Sequence, residues 1–517
     1  MSSGKPYPLP AKHKRALVLP ALAGAIIVLV FTARYGAGLS PDSVGYLGVA
    51  RNLMAGAGVQ TYGGAAFVVQ PPLYPALLAL VGYIFHADPL AFAHIVNALI
   101  FAAIVYLGGL LILDRLPHLP YLALAGSAAV AASPRLLQTS MMAWSEPLFI
   151  LFVLTSFAFA GSYLSKPDAK SLVLLSVSAA LACMTRYIGA LLIPWGVLVI
   201  AVFGRQRPSI RLMHSSVFAA MAAAPLLAWA ARNYAVSGTL SGGRSPSALS
   251  LSYNLMLLFR EKYHLYILAA VPLLAILAAA AARRAGVGLE DTRRSVGTAL
   301  HGLAPMVLFV AAYEAFLVIL STLVAYDQIG FRLLSPIYVP LIVVVFVLAG
   351  VIVDSCRGIP SAKAVSALLV RGIGLWLAGS LCAAFLVGME AHEIGLAYAG
   401  RRWKTSETIE YLRRHPRLGS ERSIYTNDVD AVYLFTGRVF KWTPARTCAN
   451  SNKLISEASG LRGSWPSEGK AWLVWFDGIK FRPFLFGLSD LRQIAIMKRV
   501  TRFKDGAIYV VERRPRG

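Results

Sequence analysis

The chain is expected to fold as an α-helical polytopic membrane protein with about eleven transmembrane helices, followed by a small soluble α/β domain. Three observations carry that expectation. Of its 517 residues 57% are hydrophobic and only 14% charged, whereas soluble domains carry roughly a quarter charged residues. Apolar runs about long enough to cross a ~30 Å hydrocarbon core recur almost to Met389. Beyond Met389 the runs shorten to strand length, which divides the chain into a membrane domain, 1–390, and an extracytoplasmic domain, 391–517.

Spanning segments are expected near 16–34, 90–113, 121–140, 145–164, 171–187, 188–203, 215–233, 264–282, 303–325, 334–353 and 372–390. Lys5, Lys12, Lys14 and Arg15 before the first run resemble a signal peptide, but no small-residue cleavage site follows, so the run reads as a retained first helix. With a cytoplasmic N-terminus, the loops holding Arg115, Lys166 and Lys170, Arg205–Arg211, Arg283–Arg294 and Arg357–Arg371 are cytosolic. They collect roughly twice the Lys and Arg of the opposite loops, as the positive-inside rule requires. An odd number of spans then exports the C-terminal domain to the face that also carries the long loop 35–72.

In the tail, strands are expected at Ser423–Thr426, Ala471–Phe476, Ile494–Val500 and Ala507–Val511, with helices at Thr405–Arg414 and Val429–Phe435. These strands carry no Gly-rich phosphate loop, paired carboxylates or nucleophile elbow. The net charge of +25 belongs mostly to short loops and the tail, where topology and anionic headgroups account for it. Without zinc spacing, a basic zipper or an aromatic RNA motif, no nucleic-acid partner is expected. Cys183 and Cys382 fall in apolar segments, Cys356 in a cytosolic loop and Cys448 in the tail, so no disulfide framework or metal cluster follows.

Candidate chemistry gathers at the outer face. Asp42, after Pro41, opens a helical stretch in which Leu47, Ala50, Leu53 and Met54 recur at helical spacing, the pattern of an amphipathic helix in the interface plane. Its carboxylate either caps that helix or serves as a general base beside a lipid headgroup. The run Pro71-Pro72-Leu73-Tyr74-Pro75 makes a rigid turn before a second interfacial helix, Ala76–Phe85. Glu146, followed by Pro147, stands at the outer end of the fourth span, either complementing the helix dipole or facing the same surface as Asp42.

Arg186, Arg232 and Arg332 meet that surface at span ends, where they either snorkel to headgroups or hold a phosphate. Two acids and three arginines on one face match what transfer from a lipid phosphate requires: a base for the acceptor, and fixed positive charge for the departing phosphate. Tyr46, Tyr187 and Tyr234 are candidate walls for sugar or lipid, although interfacial aromatics also serve as belt residues. Glu314, inside the ninth span, is either a polar wall or a helix-packing partner; His94 and Asn97 read as packing hydrogen bonds.

Set in this order, the sequence resembles the protein O-mannosyltransferase and lipid A aminoarabinose transferase superfamily, membrane glycosyltransferases of the GT-C fold. The resemblance lies in Pro41-Asp42-Ser43-Val44-Gly45-Tyr46, Pro71-Pro72-Leu73-Tyr74-Pro75, Ser145-Glu146-Pro147-Leu148-Phe149, Thr185-Arg186-Tyr187-Ile188-Gly189, Arg232-Asn233-Tyr234 and Arg332-Leu333-Leu334-Ser335-Pro336, and covers residues 16 to about 340. It implies a polyprenyl- or dolichyl-phosphate sugar donor, usual inversion at the anomeric carbon, and a catalytic acid at Asp42 with a second at Glu146. Ser43 departs from the Asp-Glu pair of the mannosyltransferases. No metal or other cofactor is expected. A glycan, lipid or protein would accept the sugar, at a bacterial inner membrane. A flippase of lipid-linked sugars is the alternative; such transporters tend to show matching broken halves, and no such symmetry is seen here.

Overall fold

A computed structural model describes residues 10–285, 289–355, 363–449 and 453–515. Cys356 and parts of the Arg283–Arg294 and Arg357–Arg371 loops lie outside them.

Among the described residues, seven helices are long and apolar enough to cross a membrane: Ala11–Thr32, Pro89–Arg115, Glu146–Ser165, Pro208–Ser237, Gly302–Leu323, Phe331–Asp354 and Ala364–Glu393. Helix Phe331–Ser355 lies at the centre, with Ile337, Tyr338, Val339, Ile342, Val343 and Phe346 inaccessible. The other expected spans fall on the shorter apolar helices Pro120–Ala131, Ala169–Thr185 and Tyr187–Phe203 and on Lys262–Ala285. The expected span 121–140 is broken. Pro120–Ala131 rises only ~18 Å, and Ser133 then caps a separate helix, Pro134–Ser140, by accepting from the Leu136 amide at 3.3 Å. Proline at the first helical position cannot continue the preceding ladder but is preorganised to begin a new one.

The first outer loop contains the two helices expected of it, Pro41–Met54 and Leu73–Ile84. The cap of the first is a correction to the sequence reading. Ser40, not Asp42, is the N-cap: its Oγ accepts from the Ser43 amide at 3.4 Å and Ser43 Oγ accepts from the Ser40 amide at 3.0 Å. This reciprocal box satisfies both orphan donors and leaves the Asp42 carboxylate free of capping duty. Ser43, the departure from the acidic pair, is therefore a structural residue.

The tail forms β1 (Ile424–Thr426), β2 (Lys441–Trp442), β3 (Lys470–Phe476), β4 (Ala495–Arg502) and β5 (Gly506–Arg513). They make one sheet in the order β2-β1-β3-β5-β4, with β1 parallel to β2 and β3, and β5 antiparallel to both β3 and β4. Alternation along β3 sends Val474 and Phe476 into the core continuous with the membrane domain, and Leu473 into a second core with Trp465, Leu491, Ile494 and Tyr509 on the far face. Helix Val429–Thr436 rests on the first outer loop, where Tyr433 stacks on Tyr62 with ring centroids 4.3 Å apart. Arg482 joins the contact: its guanidinium pairs with Asp430, which also accepts from the Tyr62 hydroxyl at 2.7 Å.

Candidate active site

The first turn of helix Pro41–Met54, the start of Glu146–Ser165, the end of Ala169–Thr185 and the start of Phe331–Ser355 converge under the outer loop. Arg332 is the centre of the convergence. Its Nη2 donates to Asp42 Oδ2 at 2.5 Å, its Nε to Glu146 Oε1 at 2.5 Å, and its Nη1 lies 3.6 Å from Asp327 Oδ2. The guanidinium stacks 4.4 Å from the Trp144 ring centroid, and Trp144 Nε1 donates to Ser40 Oγ at 2.8 Å, so the capping box and the arginine are held by one indole.

Arg186 sits where Ala169–Thr185 ends in an extended residue before the tight helical turn Tyr187–Leu191. Its Nη1 is 2.8 Å from Glu146 Oε1 and donates to Ser145 Oγ at 3.0 Å. The same Ser145 hydroxyl is 3.0 Å from Tyr46 Oη. Glu146 is 1% exposed, with both arginines on one carboxylate oxygen. Its charge thus fixes two guanidiniums from the first turn of its own helix.

Gly189 makes the abrupt turn after Arg186 possible. A Cβ there would lie 2.6 Å from the carbonyl carbon and oxygen of Ala182, backbone atoms of a packed helix that cannot retreat. Gly189→Ala should therefore lose about 1–3 kcal/mol, read as a lower melting temperature in detergent micelles; an unchanged melting temperature would show that the turn can relax.

A cavity of about 410 Å³ opens above this network. Asp42, Tyr46, Arg186, Tyr187 and Arg332 line it, together with Gln70, Arg244, Tyr326 and Asp327, and one wall is the apolar row Phe316, Leu317 and Leu320. Burial works against ionisation of Asp42, yet Arg332 and, more weakly, Arg186 outweigh it and hold the carboxyl below its usual range. Asp327 shifts the other way: burial, reinforced by Asp42, raises it despite Arg332. Two acids in one cavity thus have opposite tendencies to hold a proton.

Not every candidate reaches the cavity. Glu146 lies beneath its floor and does not line it. Arg232 donates to the carbonyls of Phe67 at 2.8 Å and Val59 at 3.0 Å, clamping the outer loop, and Tyr234 is 63% exposed on the periphery. Tyr187 does line the cavity, its hydroxyl donating to Val68 O at 2.7 Å and accepting from Trp229 and Asn233 at 3.0 Å each. Glu314 is absent from the lining and stands 3.4 Å from His264 between helices, with neither Glu314 Oε1 nor His264 Nε2 hydrogen-bonded, while Asn97 bonds Met142 O and Tyr74 as a packing partner. Arg244 was not singled out from sequence: it follows Gly242 and Gly243 in a loop with no periodicity, and its position on the cavity depends wholly on tertiary placement. Asp327 had a local signal, an acid five residues before Arg332.

No protein-family model and no curated protein matches the sequence. Solved structures do. ArnT from Cupriavidus metallidurans in the apo state is 14% identical with a TM-score of 0.58, the comparison covering 95% of this chain and 97% of that one. ArnT bound to undecaprenyl phosphate gives 15% identity, a TM-score of 0.59 and the same coverage. A mutant of the arabinofuranosyltransferase AftD from Mycobacteria is 13% identical with a TM-score of 0.51, over 96% of this chain but 41% of that one. With its seven long apolar helices, the chain is an integral membrane protein with the GT-C fold, shared with ArnT over nearly its whole length.

Proposed function

We propose that the protein is a glycosyltransferase that moves a sugar from a polyprenyl-phosphate donor to an acceptor hydroxyl at the outer face of the membrane, with Asp42 as general base. The observation that carries this reading is one cavity holding two acids, three guanidiniums and an apolar wall: Asp42 and Asp327, then Arg186, Arg244 and Arg332, beside Phe316, Leu317 and Leu320. The apolar row suits a prenyl chain and the arginines its phosphate. A protein of the same fold is bound to undecaprenyl phosphate, and we carry that ligand class over.

Asp42 takes the proton of the acceptor hydroxyl as its oxygen attacks the anomeric carbon, and the bond from that carbon to the phosphate oxygen breaks. One displacement inverts the anomeric centre. The charge that grows on the phosphate falls to Arg332, Arg186 and Arg244. Before the donor binds, Arg332 Nη2 is engaged by Asp42 at 2.5 Å. A phosphate that draws Arg332 toward itself releases Asp42 and raises its basicity, so the base is switched on by the donor. Arg332 and Arg186 supply fixed positive charge where a metal-dependent enzyme would place a cation, and among the described residues no group of three His, Cys, Asp or Glu is disposed to hold one. We therefore propose a metal-independent reaction. The positive-inside pattern supports a cytoplasmic N-terminus and an extracytoplasmic C-terminal domain in a bacterial inner membrane.

The test is transfer of label from a panel of radiolabelled polyprenyl-phosphate sugars in membranes containing the protein. Transfer from at least one donor, undiminished by EDTA, is expected. Transfer abolished by EDTA and restored by a divalent ion would overturn metal independence. No transfer from any donor, with lipid-linked sugar moved between leaflets, would establish a flippase instead.

A further inference from the structure

Asp327 is the acid of the cavity that the proposed chemistry does not use. It stands on the short connection between the helices Gly302–Leu323 and Phe331–Ser355, and that connection is fixed on either side of it. The Ala325 amide donates to Ser245 O at 2.8 Å, and Ile329 is 4% exposed. Between these two anchors the Asp327 side chain is 52% accessible and lines the cavity.

Neutralising Arg332 does not account for an acid at this position. Arg332 already meets Asp42 through Nη2 and Glu146 through Nε, each at 2.5 Å, and Asp327 is the most distant of its three carboxylates, 3.6 Å from Nη1. Nor does the acid favour the lipid phosphate, since a carboxylate beside a phosphate-binding guanidinium repels the incoming anion. A contact with the uncharged part of the donor gives it a reason to be there. Burial raises the Asp327 pKa and Asp42 adds to it, so the two carboxylates are near enough to feel one another and to share one ligand.

The common guanidinium relates both acids to that ligand. Resting on the transfer reaction proposed above, the donor phosphate takes Arg332, and Asp42 serves the attack on the anomeric carbon bonded to that phosphate. Asp327, at the other terminal nitrogen of the same planar group, then flanks the ring position next to the anomeric carbon. A carboxylate there accepts from a hydroxyl, and hydrogen bonds to that hydroxyl strengthen as the transition state forms. We propose that Asp327 is a specificity-determining residue, which accepts a hydrogen bond from the hydroxyl on the carbon next to the anomeric carbon of the donor sugar. The donor class is therefore a sugar with a free hydroxyl at that carbon, not one that is deoxygenated or acetamido-substituted there.

The test pairs each polyprenyl-phosphate sugar that the panel shows to be a donor with its analogue lacking that hydroxyl, in the full-length wild type and in Asp327→Ala. With the parent donor the variant should lower kcat/KM about ten- to a hundredfold, as loss of a hydrogen bond to a charged group does. With the deoxy analogue, wild type and variant should agree within about threefold, because the contact is already gone. An equal loss with both donors, or a preferred donor without a hydroxyl at that carbon, would overturn the proposal and leave transfer standing. Undecaprenyl phosphate, which carries no sugar, should bind Asp327→Ala at least as tightly as wild type; weaker binding would make Asp327 a positioning residue for Arg332 and overturn its contact with the sugar. Where no lipid of the panel is transferred, binding decides. If the panel's tightest-binding lipid sugar binds Asp327→Ala about tenfold more weakly while undecaprenyl phosphate does not, Asp327 recognises the sugar and only the transfer reading falls; equal binding of that lipid sugar to both proteins would overturn the two together.

Discussion

Asp42→Asn should lower transfer by about 10²–10⁴-fold, the usual contribution of a positioned general base, while leaving donor binding intact or tighter. Asparagine keeps the shape of the side chain and can still accept from Arg332 Nη2, which Asp42 engages at 2.5 Å. It cannot take a proton at neutral pH. Loss of the anion also frees Arg332 to meet the donor phosphate, so Kd for undecaprenyl phosphate should not rise. Initial rates and donor binding measured on the same preparation separate the two effects. Transfer within threefold of wild type would remove Asp42 from the chemistry; a large rise in Kd would instead make it a binding residue.

The same carboxylate sets an expectation for acidity. Burial raises the Asp42 pKa, but Arg332 and Arg186 more than offset it, so the folded carboxyl lies below its usual range. A depressed carboxylate contributes stability that is present above its unfolded pKa and lost as pH falls through its folded pKa. The ion pair in the resting protein should therefore survive to more acidic pH than an ordinary exposed aspartate would allow. An acid limb that sets in at a higher pH than this would report Asp42 after the donor has taken Arg332, where its pKa is released upward. Rates measured from pH 4 to 8 at saturating and at limiting donor distinguish these cases: the acid limb should appear at higher pH with saturating donor, and coincident limbs would argue against a base switched on by the donor.

Much of this architecture was legible because membrane burial writes itself into long apolar runs, and sheet burial into short ones. The expected strand 471–476 is β3, Lys470–Phe476, and the expected helix 405–414 is Glu407–Arg414. What failed failed locally. The segment 121–140 is apolar throughout, and only the Ser133-Pro134 pair marks the break that the structure makes there. β2 is two residues, Lys441–Trp442, both exposed, with no periodicity to read. Asp42 was a fair cap by position, but Ser40 and Ser43 satisfy the helix start between them. Arg186, Arg232 and Arg332 were equivalent in sequence, each at a span end. Tertiary contacts separate them: Arg332 and Arg186 converge on Glu146, whereas Arg232 is spent on the carbonyls of Val59 and Phe67.

Glu146→Gln should be the most damaging conservative change in the membrane domain. The carboxylate is 1% exposed and accepts from Arg332 and approaches Arg186 through one oxygen. Glutamine preserves volume but removes the charge that balances two mostly buried guanidiniums, leaving Asp42 and Asp327 to face both. Breaking a buried ion pair by removing one partner costs roughly 3–5 kcal/mol, because the other charge stays behind. A clear fall in melting temperature is expected, and transfer should fall with it as Arg332 and Arg186 lose their fixed positions. The decisive comparison is the double variant Glu146→Gln, Arg186→Met. Taking away both a negative and a positive partner removes the stranded charge, so stability should return toward wild type. Transfer should not return, since one phosphate ligand is now missing and the other is no longer held. Recovery of stability without recovery of transfer would fit Arg186 as a ligand of the phosphate and Glu146 as its counterion; recovery of both would remove Arg186 from the chemistry, and a single variant as stable and active as wild type would remove Glu146 from the site.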